Sequence, residues 1–172
     1  MANLSNTKEI VNRAASSGII TFDIEDYYAL GARSIFDIKD FLFQGIVLRE
    51  KDYREAIKNL DWSQYADHYV SVVCSTDAIV PMWAFMIAAS YLQKVAKRVF
   101  FGSLAELESH LYAEVLSKID WEFYRDKKVV IKGCSKFPVP HWAYVEVSVR
   151  LAPIAKLIMF GEACSSVPVY KK

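Results

Sequence analysis

Asp61-Trp62-Ser63-Gln64-Tyr65-Ala66-Asp67-His68-Tyr69-Val70 returns 59 residues later as Asp120-Trp121-Glu122-Phe123-Tyr124-Arg125-Asp126-Lys127-Lys128-Val129. The same offset carries Leu48 onto Leu107, Tyr53 onto Tyr112, Glu55 onto Glu114, Val80-Pro81 onto Val139-Pro140, Trp83-Ala84 onto Trp142-Ala143 and Phe101-Gly102 onto Phe160-Gly161. Between these marks Cys74-Ser75 maps onto Cys134-Ser135 at an offset of 60, one residue being gained before the cysteine and one lost after it. Across residues 48–102 and 107–161, 19 of 55 positions are identical, where unrelated chains of ordinary composition share about three or four. The chain reads as an internal duplication.

Each copy predicts the same run of elements. Tyr53, Ala56, Ile57 and Leu60 stand at helical spacing in the first copy, and Leu104, Leu107, Leu111 and Val115 in the second. The Asp-Trp-x-x-Tyr-x-Asp turn follows, then a β-branched run suited to a buried strand, at 69–73 or 128–131. A helix is expected from Pro81 or Pro140, where a first-turn proline costs no hydrogen bond. The first of these, 78–94, is apolar nearly all round and is expected to be buried; the second shows a polar side through Glu146, Ser148 and Arg150. Both copies close on a strand ending in Phe-Gly, at 98–101 and 157–160. Upstream, Phe22–Asp26 and Phe36–Asp40 repeat Phe-Asp-Ile-x-Asp within two strand-like stretches, 18–24 and 33–38, whereas periodicity does not decide 41–48.

Alternating strands and helices predict βαβ units with parallel neighbours. The expected fold is therefore an α/β, three-layer domain over residues 1–172. Its mainly parallel sheet is built from two duplicated βαβ units (46–102 and 103–161) plus N-terminal edge strands within 1–45, and 162–172 form a C-terminal tail. Val70, Val72, Trp83, Ile87, Phe101, Val129, Ile131, Trp142, Val145 and Phe160 are the expected core.

Composition sets limits on function. An apolar fraction of 53% in 172 residues supports a packed core. Lys+Arg of 21 against Asp+Glu of 20 leaves a formal charge of +1, and basic residues do not interleave with aromatics, so no nucleic-acid partner is expected. The longest uncharged apolar run, 80–92, has 13 residues, short of the roughly 20 of a membrane span. Residues 1–18 carry Lys8, Glu9 and Arg13 without an apolar core, so no secretory leader is expected. Three cysteines, an odd count, argue against a disulfide framework and for a reducing cytoplasm.

Several phrases together resemble a known family. Asp61-Trp62-Ser63-Gln64-Tyr65, Cys74 through Ala84, Lys132-Gly133-Cys134-Ser135, Pro138-Val139-Pro140 and Cys164-Ser165-Ser166-Val167-Pro168 are similar to the bacterial family catalogued as domain of unknown function 2480, and the likeness extends over essentially the whole chain. The resemblance implies a bacterial cytosolic protein. It implies no catalytic or binding role for any residue, because the family has no established activity.

Every cysteine stands in one kind of phrase. Cys74-Ser75 precedes Val80-Pro81, Cys134-Ser135 precedes Val139-Pro140, and Cys164-Ser165 precedes Val167-Pro168. Loops that follow parallel strands open on the carboxyl edge of the sheet, the usual ligand edge of open α/β folds. The expected working site is thus a ligand or metal site there, with Ser75, Thr76, Asp77, Ser135, Lys136, Ser165 and Ser166 available to orient a ligand. Three readings stand side by side. Thiolates of Cys74, Cys134 and Cys164, with His141 as a fourth ligand, would hold zinc or an iron–sulfur cluster. Alternatively, Cys74 or Cys134 is the nucleophile of a thiol-dependent enzyme, with His141 as base. In the third, the cysteines are small core residues of a non-enzymatic interaction or oligomerisation module. For that module, partly exposed Tyr27, Tyr28, Trp62 and Tyr65 would support a homo-oligomer.

Weaker constellations accompany these. Asp23, Glu25, Asp26, Asp37 and Asp40 are either a hard-cation site or solvated strand ends. The recurring Trp62/Trp121 and Tyr65/Tyr124 are expected to lock the helix-to-strand turn, and His68 and His110 to lie on the surface. No Walker, Rossmann, zincin or nucleophile-elbow motif occurs.

Overall fold

The computed structural model describes residues 18–133, 136–162 and 165–172. It is a mixed α/β structure with four α-helices and two sheets. In chain order the elements are β1 (Ile19–Asp23), β2 (Arg33–Asp37), α1 (Glu50–Asn59), β3 (Tyr69–Val73), α2 (Met82–Leu92), β4 (Arg98–Phe101), α3 (Leu104–Leu116), β5 (Lys128–Lys132), α4 (His141–Leu151), β6 (Leu157–Glu162) and β7 (Ser165–Lys171). Ala29–Glu114 form one compact unit, and the described residues before and after them form another.

The Ala29–Glu114 unit holds a three-stranded parallel sheet of order β2-β3-β4. Tyr53 and Ile57 of α1, one helical turn apart, are fully buried on it. Ala84, Ala88 and Leu92 of α2 join them over Val70 and Val72, with Phe36 and Ile38 completing the core. Small alanines let the α2 backbone approach the strands, while its other side stays open, with Met82 and Met86 well exposed. The opposite face of β3 presents Tyr69 to Leu107 and Leu111 of α3. α3 opens on a reciprocal cap: the Ser103 amide donates to Glu106 Oε2 at 2.8 Å, and the Glu106 amide to Ser103 Oγ.

The second unit holds a four-stranded sheet of order β1-β5-β6-β7, parallel except for the β6–β7 pair. Its internal register matches that of the first sheet. Phe22 stands opposite Ile131 and Asp23 opposite Lys132, as Phe36 stands opposite Val72 and Asp37 opposite Val73.

The repeated Asp-Trp-x-x-Tyr-x-Asp phrase has a local explanation. Its first aspartate caps a single 3₁₀ turn, Asp61 accepting from the Ser63 amide and Asp120 from the Glu122 amide. Trp62 donates from Nε1 to the Ile57 carbonyl at 3.1 Å, tying the turn to the end of α1. The last aspartate adopts a left-handed backbone, φ 60° at Asp67 and 56° at Asp126, a conformation that aspartate tolerates better than most side chains. Its amide then donates to the Val95 or Ile154 carbonyl before the closing strand.

Two expectations need correction. A single sheet of four parallel strands does not form, because β4 leads through Gly102-Ser103 directly into α3, and β5 pairs with β1 instead of with the earlier strands. The N-terminal strands do sit at edges, but of different sheets. Alternation and strand length mark where a strand is, and the crossover rule relates only strands that already share a sheet. The core list is also too wide. Val70, Val72, Val129 and Ile131 are buried, but Phe101, Val145 and Phe160 are exposed at 60%, 64% and 43%. They line open grooves beside α2 and α4 instead of filling the layer beneath them.

Candidate functional site

The carboxyl ends of β1, β5 and β6 surround a cleft of about 310 Å³ lined by Asp23, Glu25, Lys132, Gly133, Phe160, Gly161 and Glu162. Pairing of adjacent parallel strands sets Asp23 opposite Lys132, and their side chains meet at 3.1 Å. The bonded Asp23 carboxylate, followed by the fields of Asp23 and Glu162, raises the Lys132 pKa above its ordinary value. The ammonium therefore stays charged. Asp23 also accepts from the Glu25 amide at 3.1 Å, capping the 3₁₀ turn after β1.

Glu25 is the buried charge of this edge, 8% exposed. Its Oε1 accepts from the amides of Lys136 at 2.7 Å and Phe137 at 3.2 Å, so it fastens the chain after β5 to the turn after β1. Phe137 stacks on Tyr28, with ring centroids 4.3 Å apart and planes 6° apart. With Asp23, Glu25 and Glu162 against Lys132, the formal charge of the cleft is two units negative.

The matching edge of the three-stranded sheet keeps the framework without counterparts of Glu25, Lys132 and Glu162. Asp37 occupies the place of Asp23 and accepts from the amides of Lys39 and Ser75, both at 3.0 Å. Lys39 stands where the other unit has Glu25, Val73 where it has Lys132, and Ser103 where it has Glu162. Burial works to raise the Asp37 pKa, but hydrogen bonds from Ser75 and Lys39 outweigh it, and the net direction is down. A carboxyl lowered by folding stabilises the native state above its unfolded value of 3.8 and loses that contribution as acid protonates it. Asp37→Asn is accordingly expected to lose less stability than the parent between pH 7 and about pH 3. Urea unfolding at the two pH values checks this, and equal acid sensitivity of both proteins would contradict it.

The sequence-predicted site residues divide between the units. Cys74 follows β3, is partly buried, and points its thiol toward the Thr76 carbonyl at 3.8 Å. Ser75, Thr76 and Asp77 beside it are exposed. Cys134, Ser135 and Cys164 lie outside the described residues. In sequence, Cys134 directly follows Gly133 of the cleft, and Cys164 stands two residues beyond Glu162. Lys136 is exposed, and its amide is held by Glu25. Ser165 pairs with Glu162 and Ser166 with Gly161, and Ser166 Oγ contacts Met159 Sδ at 3.4 Å. His141 opens α4 and is exposed. Among the described residues, no three His, Cys, Asp or Glu side chains are grouped to hold a metal ion. Cys74 belongs to the three-stranded unit, whereas Cys134 and Cys164 follow strands of the other sheet in sequence.

Other expectations resolve locally. Asp23 and Asp37 are turn caps instead of merely solvated strand ends, and Glu25 lies in the 3₁₀ turn, so strand alternation does not govern it. Tyr27 and Trp121 stack on Phe22, and Trp62 stacks on Phe36, so these aromatics are partly buried in clusters. His68 is less exposed than expected, its Nδ1 lying 2.6 Å from Ser34 Oγ. Lys132 and Glu162 were not singled out from the sequence. At the 59-residue offset Lys132 stands against Val73, one of several positions where a charge faces a neutral residue, and Glu162 lies just beyond the aligned stretch.

The chain belongs to the family described as protein of unknown function (DUF2480), whose model matches residues 8–172. No curated protein and no solved structure matches it. No helix among the described residues is long and apolar enough to cross a membrane.

Proposed function

We propose that the protein is a binding protein whose working site is the carboxyl edge of the four-stranded sheet. In this reading Cys134 and Cys164, which follow residues of the acidic cleft in sequence, are the ligands of a thiophilic cation, zinc or iron. One observation carries this reading. The strand register and aspartate caps recur in the three-stranded sheet with Val73 and Ser103 in place of Lys132 and Glu162, so the framework does not require those two charges. The cleft is also followed in sequence by two of the three thiols. Its negative balance disfavours a lone reactive thiolate, whose pKa falls beside cations and rises beside anions. A bound cation neutralises the same site, and thiolates select soft metals. This favours the metal reading over the thiol-dependent enzyme and leaves Cys74 outside the site. Ligation by thiolates fits a reducing cytoplasm. The matched registers and turn caps further support descent of both units from one duplicated βαβ ancestor.

Metal analysis of the whole chain purified without chelator tests the proposal. About one zinc or iron per chain is expected, as for a single closed site. The metal should be lost in Cys134→Ala and Cys164→Ala and kept in Cys74→Ala. Metal-free protein that takes up neither ion on reconstitution would overturn it, as would equal loss in the Cys74 variant.

A further inference from the structure

The three-stranded sheet ends in an edge that its counterpart does not have. In the four-stranded sheet, β6 is covered by β7, which runs antiparallel to it and sets Val167 opposite Phe160. Val169 and Tyr170 of β7 help wall the groove beside α4. The three-stranded sheet has the corresponding groove, about 600 Å³ between α2 and β4, where Phe85, Met86, Val99 and Phe101 replace Tyr144, Val145, Ile158 and Phe160. No described strand pairs with the outer side of β4. Phe101 is 60% exposed there, and Met86 67%.

At four residues the edge is short, which by itself hinders strand addition, but it lacks the other protective features of proline and a register shift. Arg98-Val99-Phe100-Phe101 has no proline and only one charge, at its start. By contrast, β7, the exposed edge of the other sheet, carries Pro168, Lys171 and a register shift in its pairing.

We infer that β4 pairs antiparallel with β4 of a second copy of this chain, across a two-fold axis at Phe100, forming a continuous six-stranded sheet. The hydrogen-bond directions select this register. The amides of Arg98 and Gly102 donate inward, to the carbonyls of His68 and Val72. Backbone groups alternate along a strand, so Phe100 also turns inward, while Val99 and Phe101 turn their N–H and C=O outward. A two-fold at Phe100 brings Val99 of each copy opposite Phe101 of the other. Four hydrogen bonds then satisfy every outward group of both strands. Directly opposed residues share a face, so Phe101 meets Val99 on the α2 side, as Phe160 meets Val167 in the other sheet. The two Phe100 rings meet on the opposite side in the closer, non-hydrogen-bonded pairing. A two-fold normal to the sheet produces antiparallel pairing and closes after two copies, leaving no free β4 edge.

This inference does not depend on the cleft. Sedimentation equilibrium of the whole chain is expected to give twice the 19.6 kDa chain mass. Phe101→Lys should reduce it two-fold with unchanged far-ultraviolet circular dichroism, whereas Val149→Lys in the other groove should leave the dimer intact. A parent chain that is monomeric at high concentration, or a Phe101→Lys protein that remains dimeric, would overturn the proposal. If Phe101→Lys does not fold, amide exchange of the parent decides. Val99 and Phe101 amides should be protected in the dimer and exchange rapidly on dilution, and rapid exchange at every concentration would overturn it.

Discussion

Replacing Tyr53 with alanine is expected to remove about 3–5 kcal/mol of folding stability, the range of a large buried aromatic. The ring is completely buried at the centre of the three-stranded unit's core. It meets Phe41 edge-on, with centroids 5.4 Å apart, and packs against Trp83 at 6.1 Å. Its hydroxyl donates to the Ala84 carbonyl at 2.9 Å, pinning α1 to the first turn of α2, and burial holds its pKa well above the ordinary tyrosine value. Tyr53→Phe keeps the ring and loses only that bond, so it should cost about 1 kcal/mol. Urea unfolding of the two variants separates packing from hydrogen bonding. Near-equal losses would mean that the hydroxyl, and not the ring, carries the contribution.

The second large effect is expected at Glu25. Glu25→Ala takes the Oε1 acceptor from two backbone amides, each costing about 1–3 kcal/mol when left unmade inside a protein. Access of water to the exposed Lys136 side moderates the sum, so a loss of about 2–4 kcal/mol is expected. Lys39 occupies the corresponding place in the other unit, is exposed and binds no distant backbone. Lys39→Ala should therefore stay within about 0.5 kcal/mol of the parent. Similar losses in both variants would show that the turn itself, and not the clamp on residues 136 and 137, is what Glu25 supports.

These contrasts indicate what the sequence could disclose. Helices and inner strands were legible because Tyr53 with Ile57, or the Val70–Val73 run, fix a periodicity within a few residues. The Asp-Trp turn was legible because Asp61 and Asp67 act within their own segment. Sheet membership was not, since β1 and β2 carry nearly the same phrase and only packing far along the chain sends β1 to β5 and β2 to β3. β7 was hidden for a different reason. Nearly all of its residues are exposed and Pro168 interrupts it, so neither alternation nor strand propensity marks it. Chain direction alone puts post-strand loops at the carboxyl edge, which is why the sequence directs attention there. Of the three cysteines, Cys74 alone lies within the described residues, after β3 of the three-stranded sheet.

The proposal places function at the acidic edge of the four-stranded sheet and not at the counterpart edge beside Asp37 and Ser75. Amide chemical-shift mapping of the whole chain during titration with zinc ion tests it most directly. Starting from the chain stripped of metal by a chelator, shifts are expected at Asp23, Gly133, Gly161 and Glu162, with Asp37, Ser75 and Gly102 unmoved. Shifts centred on Asp37 and Ser75, or no shifts at either edge, would contradict it.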